Sequence, residues 1–310
     1  MMNKNNIPIF FATDDNYIPF LAVTLQSIVD NSSKENFYDI KILNTSILEK
    51  NKQKILKFKR ENVDIEFVNI QEELKKISSK LYTRDYYSKT TYYRLLIPDI
   101  YKEYDKALYL DSDIVLLDDV ANLYNTDMED NLVAATTDET VSSVPIFIDY
   151  VEKVVGVKSY KNYFNAGVLL MNLKAMRECN FIDKFVYLLD TVKFSVAQDQ
   201  DYLNRICKGR VKILDESWNK MPLESLADKE YDESKIKLIH YNLAYKPWHF
   251  EDIKYKDYFW NYAKKTEFLD EILRVKSLFT DEDRKQDRIK TENLIKLAKF
   301  EADCVGDDRG

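Results

Sequence analysis

The strongest constraint on this chain is a repeated alternation. Short apolar runs, several of them ending on an aspartate, are separated by segments that carry apolar residues at helical spacing. The first run is IPIFFAT (7–13), and Ile18, Leu21, Ala22, Leu25, Ile28 and Val29 after it fall on one face of a helix. DIKIL (39–43) and VDIEFV (63–68) read as strands, with helical patterns over 46–60 between them and over 88–101 after them, up to the region of Pro98. KALYLD (106–111), NLVAATTD (131–138) and NYFNAGVLLMN (162–172) supply further buried runs. Such alternation predicts an α/β fold, a parallel sheet with covering helices. Ligands of open α/β sheets bind beyond the carboxyl ends of the strands, and Asp14, Asp111 and Asp138 all fall at such ends.

At 310 residues and 45% hydrophobic, the chain can build one sizeable core but not two large ones. From residue 250 charged and aromatic residues alternate (FEDIKYKDYFWNYAKK), and a charged, helix-forming tail follows. Residues 1–248 therefore read as the main domain and 249–310 as a small C-terminal helical extension. A net charge of −7 with no basic stripe excludes a nucleic-acid partner, since phosphate-backbone binding needs a concentrated positive field. No segment reads as a signal peptide or as a membrane span of roughly 20 apolar residues. The three cysteines, Cys179, Cys207 and Cys304, form no Cys-x-x-Cys pair. The expectation is a cytoplasmic, reduced protein.

Two scarcities narrow the chemistry. Only five glycines occur, so there is neither a G-x-G-x-x-G turn nor a P-loop to cradle phosphates with backbone N–H groups. Only two histidines occur, His240 and His249, which excludes a multi-histidine zinc site. The Asp-x-Asp pattern appears three times, as Asp111/Asp113, Asp199/Asp201 and Asp281/Asp283. The last lies in DEDRKQDR, a solvated face. Asp111 and Asp113 sit between ALYL and IVLL, and burying carboxylates in core-forming sequence is costly unless something compensates them. Either a turn uses them to cap backbone N–H groups, or they hold a divalent cation such as Mg²⁺ or Mn²⁺. His240 ends the apolar run KIKLIHYN, and an imidazole beside two carboxylates would favour Mn²⁺. Arg94, in TTYYRLLIP, needs either an aspartate or an anionic ligand as partner, and Lys246 in AYKPW is a candidate phosphate contact.

Seven blocks in order, FATDDNY (11–17), TTYYRL (90–95), ALYLDSDIVL (107–116), NYFNAGVLLMNL (162–173), QDQDYLN (198–204), WNKMP (218–222) and HYNLAYKPWH (240–249), resemble glycosyltransferase family 8. That family contains bacterial lipopolysaccharide galactosyl- and glucosyltransferases and glycogenin. The resemblance implies a GT-A fold, a Rossmann-like nucleotide-binding domain, and retaining transfer of a hexose from UDP-galactose or UDP-glucose to a glycan or glycolipid. It implies Asp111, Asp113 and His240 as Mn²⁺ ligands, with Mg²⁺ as the alternative. Ala12, Thr13, Asp14, Asn16, Tyr17, Asp111, Ser112 and Lys246 would hold the nucleotide, with Tyr17 stacking on uracil and Lys246 on the diphosphate. Arg94, Asn165, Ala166, Asp199 and Gln200 would surround the donor sugar, and Asp199 and Gln200 would be catalytic.

Because the family position beneath the anomeric carbon is here Gln200, a poor nucleophile, front-face displacement is expected rather than the carboxylate double displacement of glycosidases. Family members often carry Gly-Pro after the metal histidine, whereas this chain has Leu243 and Ala244, which lack glycine's conformational freedom. The stretch 250–265 is a candidate for peripheral membrane contact at the inner face of the plasma membrane, although its mixed charges fall short of a polybasic patch. Two other readings compete: a sugar nucleotidyltransferase, which would need a glycine-rich phosphate loop, and a catalytically inactive nucleotide-sugar or carbohydrate-binding protein.

Overall fold

The computed structural model describes residues 5–77, 89–222, 231–244 and 246–307; Ser88 of the expected helix and Tyr245 of the last block lie outside them. Seven strands form the main sheet, β1 (Asn5–Ala12), β2 (Asn36–Asn44), β3 (Val63–Asn69), β4 (Ala107–Leu110), β6 (Val133–Ala135), β7 (Val168–Met171) and β8 (Val211–Ile213), in the order β3-β2-β1-β4-β7-β6-β8. Two more, β5 (Ile114–Leu116) and β9 (Leu238–His240), pair in a small second sheet. The run IPIFF becomes the centre of the main sheet, with Ile7, Ile9 and Phe11 in the core on one face and Phe10 in the core on the other. Burial on both faces is why its sequence is continuously apolar rather than alternating.

The expected parallel pairing holds for β3-β2-β1-β4 and for β6-β8, whereas β7 runs antiparallel to both of its neighbours. The cause is where the chain goes after β6. Instead of crossing over a face of the sheet, residues 139–155 stay at the carboxyl end of β6, where Val141, Phe147, Tyr150 and Val151 line the cleft. A chain that re-enters the sheet from the end it left must run backwards. The segment expected to be helical over 88–101 forms a tight 3₁₀ helix at Lys89–Leu96 and a single α-helical turn at Ile97–Ile100. Thr and Tyr disfavour regular helix there, and Pro98 has no N–H with which to continue one.

The segment Asp111–Asp113 is the corner at which the chain leaves the main sheet for the small one. β5 pairs with β9 on one side, and Ile114 faces His240 in that register. The first helix, Ile18–Asn31, covers the other side and is buried almost all round. Its polar residues recur at helical spacing and meet the bare edge of β5. Thr24 Oγ1 donates to the Ile114 carbonyl (2.7 Å), Ser27 Oγ accepts from Leu116 N (3.0 Å), and Asn31 Nδ2 donates to the Leu116 carbonyl (3.1 Å). Side chains thus supply the partners that a further strand would have supplied, which keeps the buried backbone satisfied.

After Trp248, which stacks on Phe20 of the first helix at 3.7 Å between ring centroids, come helices at Lys256–Ala263, Leu269–Leu278 and Asp281–Asp307. The first packs on Ile18–Asn31, and the last packs on the helix Pro145–Tyr150. No helix among the described residues is long and apolar enough to cross a membrane.

Just beyond β5, Asp119 ties four segments together. Its carboxylate accepts from Ala121 N (2.8 Å) as a helix cap, from Ser33 N (3.2 Å) after the first helix, and from the buried Tyr38 hydroxyl of β2 (2.7 Å). Asp119→Ala is expected to lower stability by about 2–4 kcal/mol and Tyr38→Phe by about 1 kcal/mol, with the double variant losing less than the sum, as read by urea unfolding.

Candidate active site

A cleft opens at the carboxyl ends of β1, β4 and β6, and the reversed β7 brings its amino-terminal end to the same place. Among the described residues, its lining includes Asp14, Asp111, Asp113, Asp138 and Asp199 against two cationic side chains, Arg94 and Lys246. Of the positions singled out in the sequence, Ala12, Thr13, Asp14, Tyr17, Ser112, Asn165, Gln200 and His240 line it as well. Asn16 is exposed and does not. Ala166 is buried and acts through its backbone, with its carbonyl accepting from Arg94 and its N–H donating to Gln200 Oε1 (2.9 Å).

One ligand atom each from Asp111, Asp113 and His240 lies within 4.8 Å of the others. His240 Nε2 is 3.4 Å from Asp113 Oδ1 and 3.7 Å from Asp111 Oδ2. Octahedral coordination at about 2.0–2.1 Å would separate adjacent donors by about 3 Å, so these spacings suit a small divalent ion after slight contraction. Asp113 Oδ1 is buried and receives no hydrogen bond, the condition that a cation would relieve. Its other oxygen accepts from Lys246 Nζ. Burial pushes the Asp113 carboxyl up, but Lys246, chief among the groups opposing it, holds it well below the usual carboxylate range. For Lys246 itself burial is the largest influence and favours the neutral amine, but Asp113, Tyr17 and Asp111 together overcome it and hold its pKa above the usual lysine value.

Close approach is what lets the histidine reach the carboxylates. A Cβ added to Gly167, at the start of β7, would lie 2.3 Å from His240 Cε1 and 2.7 Å from Asp111 Oδ2. Only glycine leaves room for the ring. Downstream of His240, Leu243 lines the cleft with φ +50°, so this loop keeps the left-handed turn that glycine takes most easily and retains a side chain there.

Arg94 is buried, and it partners aspartates. Its Nε lies 2.9 Å from Asp199 Oδ2 and its Nη1 3.4 Å from Asp111 Oδ1, while the guanidinium rests on the Tyr109 ring at 4.5 Å. Burial raises Asp199 to about 6, with Arg94 opposing and Asp111 adding to the rise. Asp199 and Asp201 both open the helix Asp199–Cys207, as a helix-terminal carboxylate pair would, but they face different ways. Asp199 turns to the cleft, whereas Asp201 accepts from the Tyr150 and Tyr163 hydroxyls (2.8 and 2.6 Å) behind it.

Gln200 is held at both ends of its amide. Oε1 takes the Ala166 N–H, which directs Nε2 to Asp138 Oδ2 (3.0 Å) and the Tyr163 hydroxyl (3.2 Å). Asp138, Tyr163, Tyr109 and Gly167 were not among the site residues read from the sequence. Asp138 was visible only as a strand-end aspartate, and nothing in a single sequence marks which glycine or tyrosine will face a cleft. His249 stacks flat on Phe279 at 3.9 Å and takes no part in the cluster, in keeping with a structural role. Asp281 and Asp283 lie at the exposed start of the last helix. That same helix reaches the cleft with Leu294.

Known proteins resemble this chain in sequence and fold. A Haemophilus influenzae protein to which glycosyltransferase activity is ascribed is 32% identical over 248 residues, spanning 78% of this chain and 72% of its own. A lipopolysaccharide 1,2-glucosyltransferase of Escherichia coli K12 is 27% identical over 255 residues, 77% of this chain and 72% of its own. The crystal structure of the galactosyltransferase LgtC with donor and acceptor sugar analogues superposes with a TM-score of 0.68 at 28% identity, covering 84% of this chain and 96% of that one. The fold is GT-A. The sequence pattern of glycosyl transferase family 8 is matched over residues 8–252, and the chain belongs to that family.

Proposed function

We propose that this transferase moves a hexose, galactose or glucose, from a UDP-sugar to a glycan or glycolipid acceptor with retention of anomeric configuration. The observation that carries the reading is the charge of the cleft, five aspartates against two cations among the described lining residues. A nucleoside diphosphate is itself an anion, and like charges in a partly dehydrated cleft repel strongly. The ligand set Asp111, Asp113 and His240 answers that repulsion. Hard oxygens with one imidazole favour Mn²⁺, with Mg²⁺ as the alternative. When bound, the divalent ion would offset the negative charge that builds on the departing diphosphate.

The remaining roles follow from position. Thr13, Asp14 and Tyr17, with Ala12, Ser112 and the rim residue Asn16, take the nucleoside. Lys246 exchanges its contact with Asp113 for a phosphate oxygen once the carboxylate is otherwise engaged. Arg94, Asn165, Ala166, Asp199 and Gln200 take the hexose. Gln200 has an amide committed to Ala166 N and Asp138, which leaves it to position charge rather than to attack. The acceptor oxygen then bonds to the anomeric carbon on the face from which the phosphate leaves, and the acceptor proton passes to the leaving phosphate oxygen. Residues 1–248 serve as the catalytic domain and 249–310 as a helical extension. The setting that suits a lipid-linked acceptor is the cytoplasmic face of the membrane.

At concentrations about a hundredfold above the dissociation constant of UDP in the presence of Mn²⁺, the two together are expected to raise the melting temperature by about 5 °C, and either alone, binding far more weakly, by much less. Asp113→Ala should abolish the shift; a shift that survives it removes the metal reading. Gly167→Ala should likewise lose Mn²⁺-dependent stabilisation, because the added methyl displaces His240, at a cost of about 1–3 kcal/mol to the unliganded protein. Gln200→Ala is expected to bind UDP and Mn²⁺ normally in calorimetry while hydrolysis of the UDP-hexose falls at least about tenfold, and wild-type turnover in that variant would refute its role.

A further inference from the structure

The block WNKMP has no part in the reading above, yet it places one buried amide against the metal histidine. Asn219 ends a short 3₁₀ turn, Glu216–Asn219, that runs beside β9, with Lys220 N bonded to the Leu238 carbonyl and His240 N to the Lys220 carbonyl (both 2.9 Å). Its side chain is 1% exposed. Its Oδ1 is 2.9 Å from His240 Nδ1, and its Nδ2 donates to Asn165 Oδ1 (3.0 Å).

The direction of every bond in this chain follows from chemistry. Gly167 N–H, a backbone group that can only donate, points at Asn165 Oδ1 (2.9 Å). Asn165 Nδ2 therefore faces outward and donates to Asp138 Oδ2 (2.9 Å). Since Asn165 Oδ1 is an acceptor, the Asn219 atom beside it must be the NH₂, and Oδ1 of Asn219 must face His240. The reverse orientation would set two carbonyl oxygens against each other. An oxygen can only accept, so His240 Nδ1 must carry a proton, and in the neutral ring Nε2, the nitrogen facing Asp111 and Asp113, presents its lone pair.

We propose that Asn219 is a positioning residue for the divalent metal: it fixes the tautomer and the ring plane of His240, so that Nε2 is a ready ligand before any ion arrives. The inference rests on the reading of Asp111, Asp113 and His240 as the metal site. It also makes the site one connected unit, because the amide relay Asn219–Asn165 ends on Asp138, which also holds Gln200. Removing such outer partners of a metal-bound histidine commonly lowers metal affinity by about 10–100-fold.

The chain has only two histidines, so long-range ¹H–¹⁵N spectra of histidine-labelled, metal-free protein resolve both rings, with His249→Gln assigning them. The wild type should show His240 with its proton on Nδ1. Asn219→Leu, which keeps the volume and removes the acceptor, should lose that single tautomer and bind Mn²⁺ about 10–100-fold more weakly by electron paramagnetic resonance of the free ion. Asn219→Asp keeps an acceptor for the Nδ1 proton but sets its second oxygen against Asn165 Oδ1, so it should retain the tautomer, with a Mn²⁺ affinity between those of the wild type and Asn219→Leu. A proton on Nε2 in the wild type, or wild-type Mn²⁺ affinity in Asn219→Leu, overturns the role of Asn219. If Asn219→Leu does not fold, the tautomer of His240 in the wild type and in Asn219→Asp decides, and a proton on Nε2 alone in either overturns the proposal. A wild-type chain that binds no Mn²⁺ overturns the metal reading beneath the proposal, an outcome separate from the tautomer result.

Discussion

Carboxylates gathered at one end of a sheet repel one another, and the site is organised around containing that repulsion. Asp111 meets Arg94 and the Tyr109 hydroxyl, Asp113 meets Lys246, Asp199 meets Arg94, and Asp138 takes two amide N–H groups. One oxygen is left over. Asp113 Oδ1 is buried without a hydrogen bond and lies 3.4 Å from His240 Nε2. With His240 in the proposed tautomer, two acceptors face each other there, an arrangement that a cation would resolve.

The fold brings these groups together through the strand pairing that Asp111 and Asp113 interrupt. β4 belongs to the large sheet and β5 to the small one, so the two aspartates occupy the bend between them. β9 returns more than a hundred residues later and sets His240 opposite Ile114, one position from Asp113. The first helix holds this corner from behind with Thr24, Ser27 and Asn31, a polar stripe on an otherwise buried helix. Rigid elements therefore carry the candidate ligand set of Asp111, Asp113 and His240, and the hydrogen-bonded amides of Asn219 and Asn165 lie behind the histidine.

Much of this is legible in the residues. The run IPIFF, the strand-like DIKIL and VDIEFV, and the aspartates that end such runs identify an α/β sheet and the end of it that binds ligands. Where propensity is overridden, the causes are local or topological. The 88–101 segment is tighter and shorter as an α-helix than its spacing implies, because Thr, Tyr and Pro98 resist regular helix. The reversal of β7 has no signature in its own residues, since VLLM would suit either direction; it follows from the path of residues 139–155. Arg94 was correctly read as needing a partner, and packing supplied two aspartates.

By itself the sequence determined the fold class, the family, and the residue types able to hold a metal or contact a sugar, because periodicity and motif order depend on local chemistry and survive in one dimension. It also showed that the chain has no glycine-rich loop of the kind that cradles phosphates. Only the tertiary structure decided which of three Asp-x-Asp pairs faces a histidine, that Gly167 must be glycine, that Gln200 is clamped by Asp138, and that Asn219 lies against His240 Nδ1. Each of these depends on contacts between residues far apart in the chain, made at distances where one methyl group or one reversed amide changes the outcome.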